Sequence, residues 1–104
     1  MNVQLKKGVL ELCVLNKLTI KDMYGYELYQ EMFSIMKISE STIYPILRKL
    51  VNEKLCTTYL KESKEGPPRK YFSLTKLGKE KLKILIKDWQ EFKSAINNAL
   101  KGEK

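Results

Sequence analysis

The stretch Ser39-Glu40-Ser41-Thr42-Ile43-Tyr44-Pro45-Ile46-Leu47-Arg48-Lys49-Leu50-Val51-Asn52-Glu53 constrains this chain more than any other. It opens with hydroxyl and acidic residues, whose oxygens satisfy the free N–H groups of a first helical turn. The cap is expected at Ser39, and Thr42 is too short to complete a capping box. At about 100° per residue, Ile43, Ile46, Leu47, Leu50 and Val51 fall on one side. Ser41, Tyr44, Pro45, Arg48 and Asn52 fall on the other, with Thr42 and Lys49 on the flank. This outer face is short, rich in hydroxyls and ends in cations, which suits a groove walled by phosphates. Alone, the same pattern describes the solvated face of any amphipathic helix. The residues C-terminal to Glu53 decide between the two.

After Lys54 the period changes. Leu55 to Leu60 and Arg69 to Leu74 are β-branched and aromatic with partial alternation, and are predicted as two strands. Between them the polar run Lys61 to Pro68 is predicted as a long projecting loop, stiffened by Pro67 and Pro68, with the cations Arg69 and Lys70 just behind it. Two further helices are expected ahead of Ser39. Leu5 to Leu18 is apolar almost all round and must be covered on more than one side. Thr19 to Met23 reads as a polar connector. Tyr24 to Met36 carries a core stripe of Leu28, Met32 and Ile35, with Gly25 allowing close helix packing. Tyr24, Tyr26 and Tyr29 read as core or boundary packing. Pro45 is expected to kink the third helix slightly, on its exposed face. Helix, helix, helix, then a two-stranded ribbon is the order of a winged helix-turn-helix. The fold class expected is therefore mainly α with a small β-hairpin.

Thr75 is the expected cap of a long last helix that runs to about Leu100. Leu82, Leu85, Trp89, Phe92, Ile96 and Ala99 recur at steps of three and four, a heptad seam that asks for a partner helix. The first helix covers part of it, and the same seam from a second copy covers the rest. The expectation is a two-fold dimer, with Leu12, Leu82, Leu85, Trp89, Phe92 and Ile96 in its interface. Residues 1–74 are expected to form the winged helix-turn-helix and residues 75–104 the dimerisation helix, within one compact domain.

Composition narrows the partners. A formal net charge of +8 on 104 residues suggests a polyanionic partner. Through Thr75 there are 12 basic and 8 acidic residues, and beyond it 8 and 4, so each part contributes +4 and no polybasic tail exists. There is no histidine, no pair of cysteines at metal spacing and no Gly-rich phosphate loop, so neither an enzyme nor a metal or cofactor site is expected. Cys13 and Cys56 sit among apolar neighbours and read as buried thiols. No apolar run reaches ~18 residues and no signal-peptide pattern is present, so the chain is expected in the cytoplasm, with no membrane contact.

Leu10-Glu11-Leu12-Cys13-Val14-Leu15, Tyr24-Gly25-Tyr26-Glu27-Leu28 and Ser41 to Leu50 together resemble the PadR family of transcriptional regulators. Arg69-Lys70-Tyr71-Phe72-Ser73-Leu74-Thr75 and Gly78 continue the likeness, and the single helix after the wing resembles the family's short subgroup. The resemblance implies a bacterial dimeric repressor on a palindromic operator, often controlling its own gene or a neighbouring efflux or stress gene. It implies that the third helix enters the major groove while the wing touches the flanking backbone. Ser41, Thr42, Tyr44 and Arg48 sit where family members meet DNA, and Arg69 and Lys70 sit on the wing. Ser39 and Lys49 complete the candidate set. Trp89 matches a tryptophan that some members use to stack flat aromatic effectors across the dimer, against the plainer reading of a core residue.

The function expected is thus a DNA-binding repressor, a homodimer on double-stranded DNA, with a small aromatic effector as the candidate releasing ligand. The rivals are a winged-helix module that binds protein and a non-specific DNA-binding protein.

Overall fold

A computed structural model of the chain describes residues 3–102, so the outer ends of the two expected segments lie outside the described residues. The elements run α1 (Val3–Lys17), β1 (Met23–Tyr24), α2 (Gly25–Met36), α3 (Glu40–Asn52), β2 (Cys56–Ser63), β3 (Gly66–Leu74) and α4 (Lys76–Leu100). The sheet is antiparallel in the order β1-β3-β2. Mainly helical with a small sheet, this is the fold class expected.

The core gathers one face from each helix and the inner face of the sheet. Leu10, Val14, Leu15 and Leu18 of the α1 region meet Leu28 and Met32 of α2, Ile43, Ile46, Leu47 and Leu50 of α3, and Phe72 of β3. The inward face predicted for α3 is the buried one, with Val51 half-buried at its edge. On α2 the predicted stripe fails at its end, because Ile35 stands 54% exposed and Met36 packs on the core in its place. At 100° per residue Leu28, Met32 and Met36 span an arc of about 80°, and Ile35 lies about 20° beyond its Leu28 edge, so which margin is covered depends on the packed neighbours and not on the period. Gly25 does what a close helix crossing requires: a Cβ there would come within 3.0 Å of the Tyr44 ring.

The predicted connector Thr19–Met23 conceals a strand. Met23 and Tyr24 pair with Phe72 and Tyr71, giving β3 a second neighbour. Two residues are too few to carry a periodic signal, and only the approach of β3 makes them a strand. The wing loop also differs from expectation. Strand pairing continues through Lys61↔Arg69 to Ser63↔Gly66, leaving only Lys64 and Glu65 at the tip. Between those pairs Glu62 stands opposite both Pro67 and Pro68, a bulge that lets two residues without N–H groups remain in a strand.

The turn from α3 into β2 is held tightly. Lys54 adopts a left-handed conformation at φ 63, and the N–H of Leu55 donates to the Leu50 carbonyl at 2.9 Å, closing the helix end. Thr75 then clamps this turn to α4. Its Oγ1 accepts from the Gly78 N–H at 2.9 Å and donates toward the Lys54 carbonyl at 2.7 Å. We expect Thr75→Val, which keeps the shape and deletes the hydroxyl, to cost about 1–2 kcal/mol in urea unfolding, with Thr75→Ser restoring most of it.

Candidate nucleic-acid interface

The outer face of α3 begins with hydroxyls. Ser39 caps the helix by position, yet its side chain accepts no backbone N–H. Its Oγ lies 2.8 Å from Ser41 Oγ and 3.2 Å from Thr42 Oγ1. The three hydroxyls form a small exposed cluster whose donors and acceptors can be re-aimed at a ligand. One and two turns on, Pro45, Arg48 and Asn52 are exposed. Pro45 sits inside a helix that continues on both sides of it.

The cations of this face differ. Lys49 turns back to α1, where its Nζ pairs with Glu11 at 3.1 Å, and that hydrogen bond holds the ammonium pKa above its ordinary value. Arg48 has no carboxylate partner among the described residues. Tyr44 is half-buried against the core and close to Gly25, and desolvation raises its phenol pKa. Its ring packs α3 on α2, leaving the hydroxyl as the only polar handle.

The wing adds a second surface. Strand alternation separates Arg69 from Lys70, although they are consecutive: Arg69 pairs with Lys61, and Lys70 with Leu60 on the opposite face. On the Arg69 face the register sets Tyr24, Tyr71 and Tyr59 side by side across three strands. Ring centroids lie 5.5 Å apart for Tyr24 and Tyr71, and 5.7 Å for Tyr71 and Tyr59. The Arg69 guanidinium lies 4.5 Å from the Tyr24 ring centroid and Lys61 Nζ 5.2 Å from that of Tyr71. The Tyr59 hydroxyl donates to Asp22 at 2.7 Å, which raises its pKa. Sequence reasoning missed Lys61, Tyr59 and Tyr71 and read Tyr24 as packing. The odd-numbered alternation of Tyr59, Lys61, Arg69 and Tyr71 was the available signal.

On α4 the predicted seam divides in two. Leu82 is buried, and Leu85 is half-buried against the same chain's core, as is Leu12 on α1. Trp89, Phe92 and Ile96 are 40%, 55% and 41% exposed. The molecule measures 59 × 28 × 21 Å, and the 25-residue α4, about 37 Å long at 1.5 Å per residue, leaves its C-terminal half exposed beyond the body it springs from. Trp89 and Phe92 are neighbours along the helix, with ring centroids 6.2 Å apart. Both cysteines are free thiols; burial pushes the Cys56 thiol up to about 11 and raises that of Cys13 as well. No described helix is long and apolar enough to cross a membrane.

Three helices, with the third flanked by a two-stranded wing, define a winged helix-turn-helix protein. A model of the PadR-like family of transcriptional regulators matches residues 14–84. A crystal structure of a PadR-like transcriptional regulator from Bacillus cereus is 39% identical, with a TM-score of 0.85 over 96% of this chain and 99% of that one. A PadR family transcription regulator from Clostridium difficile is 29% identical, with a TM-score of 0.80 over 88% of this chain and 98% of that one. An uncharacterised protein of Lysinibacillus sphaericus is 33% identical over 100 residues, 92% of each chain. The chain belongs to the PadR-like family, whose members are transcriptional regulators and not enzymes.

Proposed function

We propose that this chain is a DNA-binding repressor that works as a two-fold dimer on a palindromic operator. The observation that carries the reading is the outer face of α3. It joins the hydroxyl cluster of Ser39, Ser41 and Thr42 to Arg48, a cation with no internal partner among the described residues. Ser41 and Thr42 address base edges or backbone oxygens, and Arg48 a guanine or a phosphate. Tyr44 keeps α3 seated and offers its hydroxyl to a phosphate. Lys49 contributes by bracing α3 against α1 and by its charge. The +8 net charge supplies the bulk of the affinity through counterion release.

The dimer is supported by Trp89, Phe92 and Ile96, a row of exposed large apolar side chains that a second copy would cover. In such a pair the two Trp89 rings would flank the two-fold axis, where a flat aromatic effector could stack and favour a head spacing that no longer fits DNA.

Anisotropy with the duplex upstream of the protein's own gene, beside a scrambled duplex at two salt concentrations, tests the reading. A preference of ~10³ or more is expected. Equal binding to both would mean a non-specific binder, and no binding to either a protein partner. Arg48→Ala is expected to cost about 1–3 kcal/mol of specific binding; unchanged operator affinity would remove Arg48 from the interface.

A further inference from the structure

We propose that Lys61 and Arg69 form a preorganised phosphate clamp on the outer face of the wing, with Tyr24 and Tyr71 as the residues that position them. The inference rests on the DNA-binding reading and deepens it. It names a cation that neither the family resemblance nor the linear sequence singles out, and it separates Arg69 from its neighbour Lys70.

Lys61 and Arg69 are directly paired across β2 and β3. Directly opposed residues of an antiparallel pair have Cβ atoms about 5 Å apart, near enough for two cations to bracket one phosphate. Two like charges so placed repel each other, and that arrangement needs a counterweight. The tyrosines supply it: Arg69 lies over Tyr24 and Lys61 over Tyr71. A ring face attracts a cation without offering it a conventional hydrogen-bond acceptor, so the N–H donors stay unspent. No carboxylate pairs with either cation among the described residues. Asp22, the acidic member of the network, accepts the Tyr59 hydroxyl.

The rings also fix the position of the charges. Tyr24 belongs to β1, just ahead of α2, whereas Arg69 and Lys61 stand on the hairpin that projects from the body. Tyr24, Tyr71 and Tyr59 are in register across all three strands, and Tyr59 is tied to Asp22 on the segment before β1. The ladder therefore anchors the wing to the helical body and sets both cations at a defined distance from α3. An Arg or Lys on a bare strand would have to lose rotamer freedom on meeting a phosphate. Here that ordering precedes binding. Lys70 faces the other way, beside Leu60, and among the described residues no such ring contact is seen for it. Its contribution is limited to the general positive field.

The test uses the full chain and its preferred duplex, with anisotropy over a range of salt. Lys61→Gln and Arg69→Gln are each expected to weaken binding about tenfold and to flatten the slope of log K against log salt by about 1. Lys70→Gln should do neither. Tyr24→Leu should weaken binding several-fold with the salt slope kept, since the charge remains and only its placement is lost, and Tyr24→Phe should bind like the parent. Lys61 is exposed, so its variant reports on the clamp even where Tyr24→Leu disturbs folding. Equal effects of Lys61→Gln and Lys70→Gln, or none from Lys61→Gln and Arg69→Gln while Arg48→Ala still weakens binding, would overturn the clamp alone. A parent protein that prefers no duplex would overturn the clamp together with the reading beneath it.

Discussion

Gly78→Ala is expected to lower the melting temperature by roughly 10–25 °C, the largest loss expected from a methyl at any of the described glycines. A Cβ at Gly78 would run into the Leu55 carbonyl oxygen and press on Leu74 Cδ1. The obstacle is backbone and it is held from the other side, since the Leu55 carbonyl accepts the Thr75 N–H at 3.1 Å and lies 3.0 Å from Thr75 Oγ1. Neither α4 nor the α3–β2 turn can yield without breaking the cap that joins them. Overpacking of this kind costs about 3 kcal/mol, and each kcal/mol shifts a domain of this size by about 4–8 °C. Gly25→Ala is the milder comparison, because its methyl would meet side chains, the Tyr44 ring at 3.0 Å and the Phe72 ring at 3.8 Å, and no backbone atom. Thermal unfolding monitored by circular dichroism decides. A Gly78→Ala protein melting within a few degrees of the parent would mean that α4 slides freely on the turn.

The second large effect concerns association. Replacing Phe92 and Ile96 together by glutamate is expected to weaken self-association by roughly 10⁴-fold. A two-fold dimer would lose four buried apolar side chains at about 1.5 kcal/mol each. Within one chain both residues are exposed, so the monomer's own core loses nothing and its melting should change little at high dilution. Sedimentation velocity across a concentration series measures the change, and operator binding should fall with it, because one head then holds one half-site. An unchanged sedimentation profile would place the interface elsewhere and leave the apolar row without a partner.

Gly78 and the apolar row differ in how far the sequence reveals them. The row on α4 could be read from spacing, because helical periodicity survives whatever the helix packs against. So could the buried face of α3, the start of α4 at Thr75 and the two long strands. The role of Gly78 could be read only as a family likeness, since nothing in a lone glycine says which carbonyl will approach it. The same holds for Ile35, which the local pattern assigned to the core. A residue at the margin of a helical stripe is buried or not according to the neighbour that arrives, and here Met36 takes the place.

The candidate interface divides in the same way. The hydroxyl-and-arginine face of α3 is legible in local sequence, because one helix generates it. The wing's face is not. Residues 24, 59, 61, 69 and 71 meet through pairing of three strands that are distant in the chain, and one of those strands is only two residues long. Consecutive cations at 69 and 70 look equivalent in a linear reading, and the pleat sends them to opposite faces. By itself, then, the sequence determined the order of the helices and the two long strands, the inward face of α3 and the family, since all three depend on patterns carried within a segment. Tertiary structure decided the bulged wing with its short tip, the strand β1, the pairing of Lys49 with Glu11 and the tyrosine ladder. Each of these depends on which distant backbone supplies the hydrogen bond or the ring, and no local period encodes that.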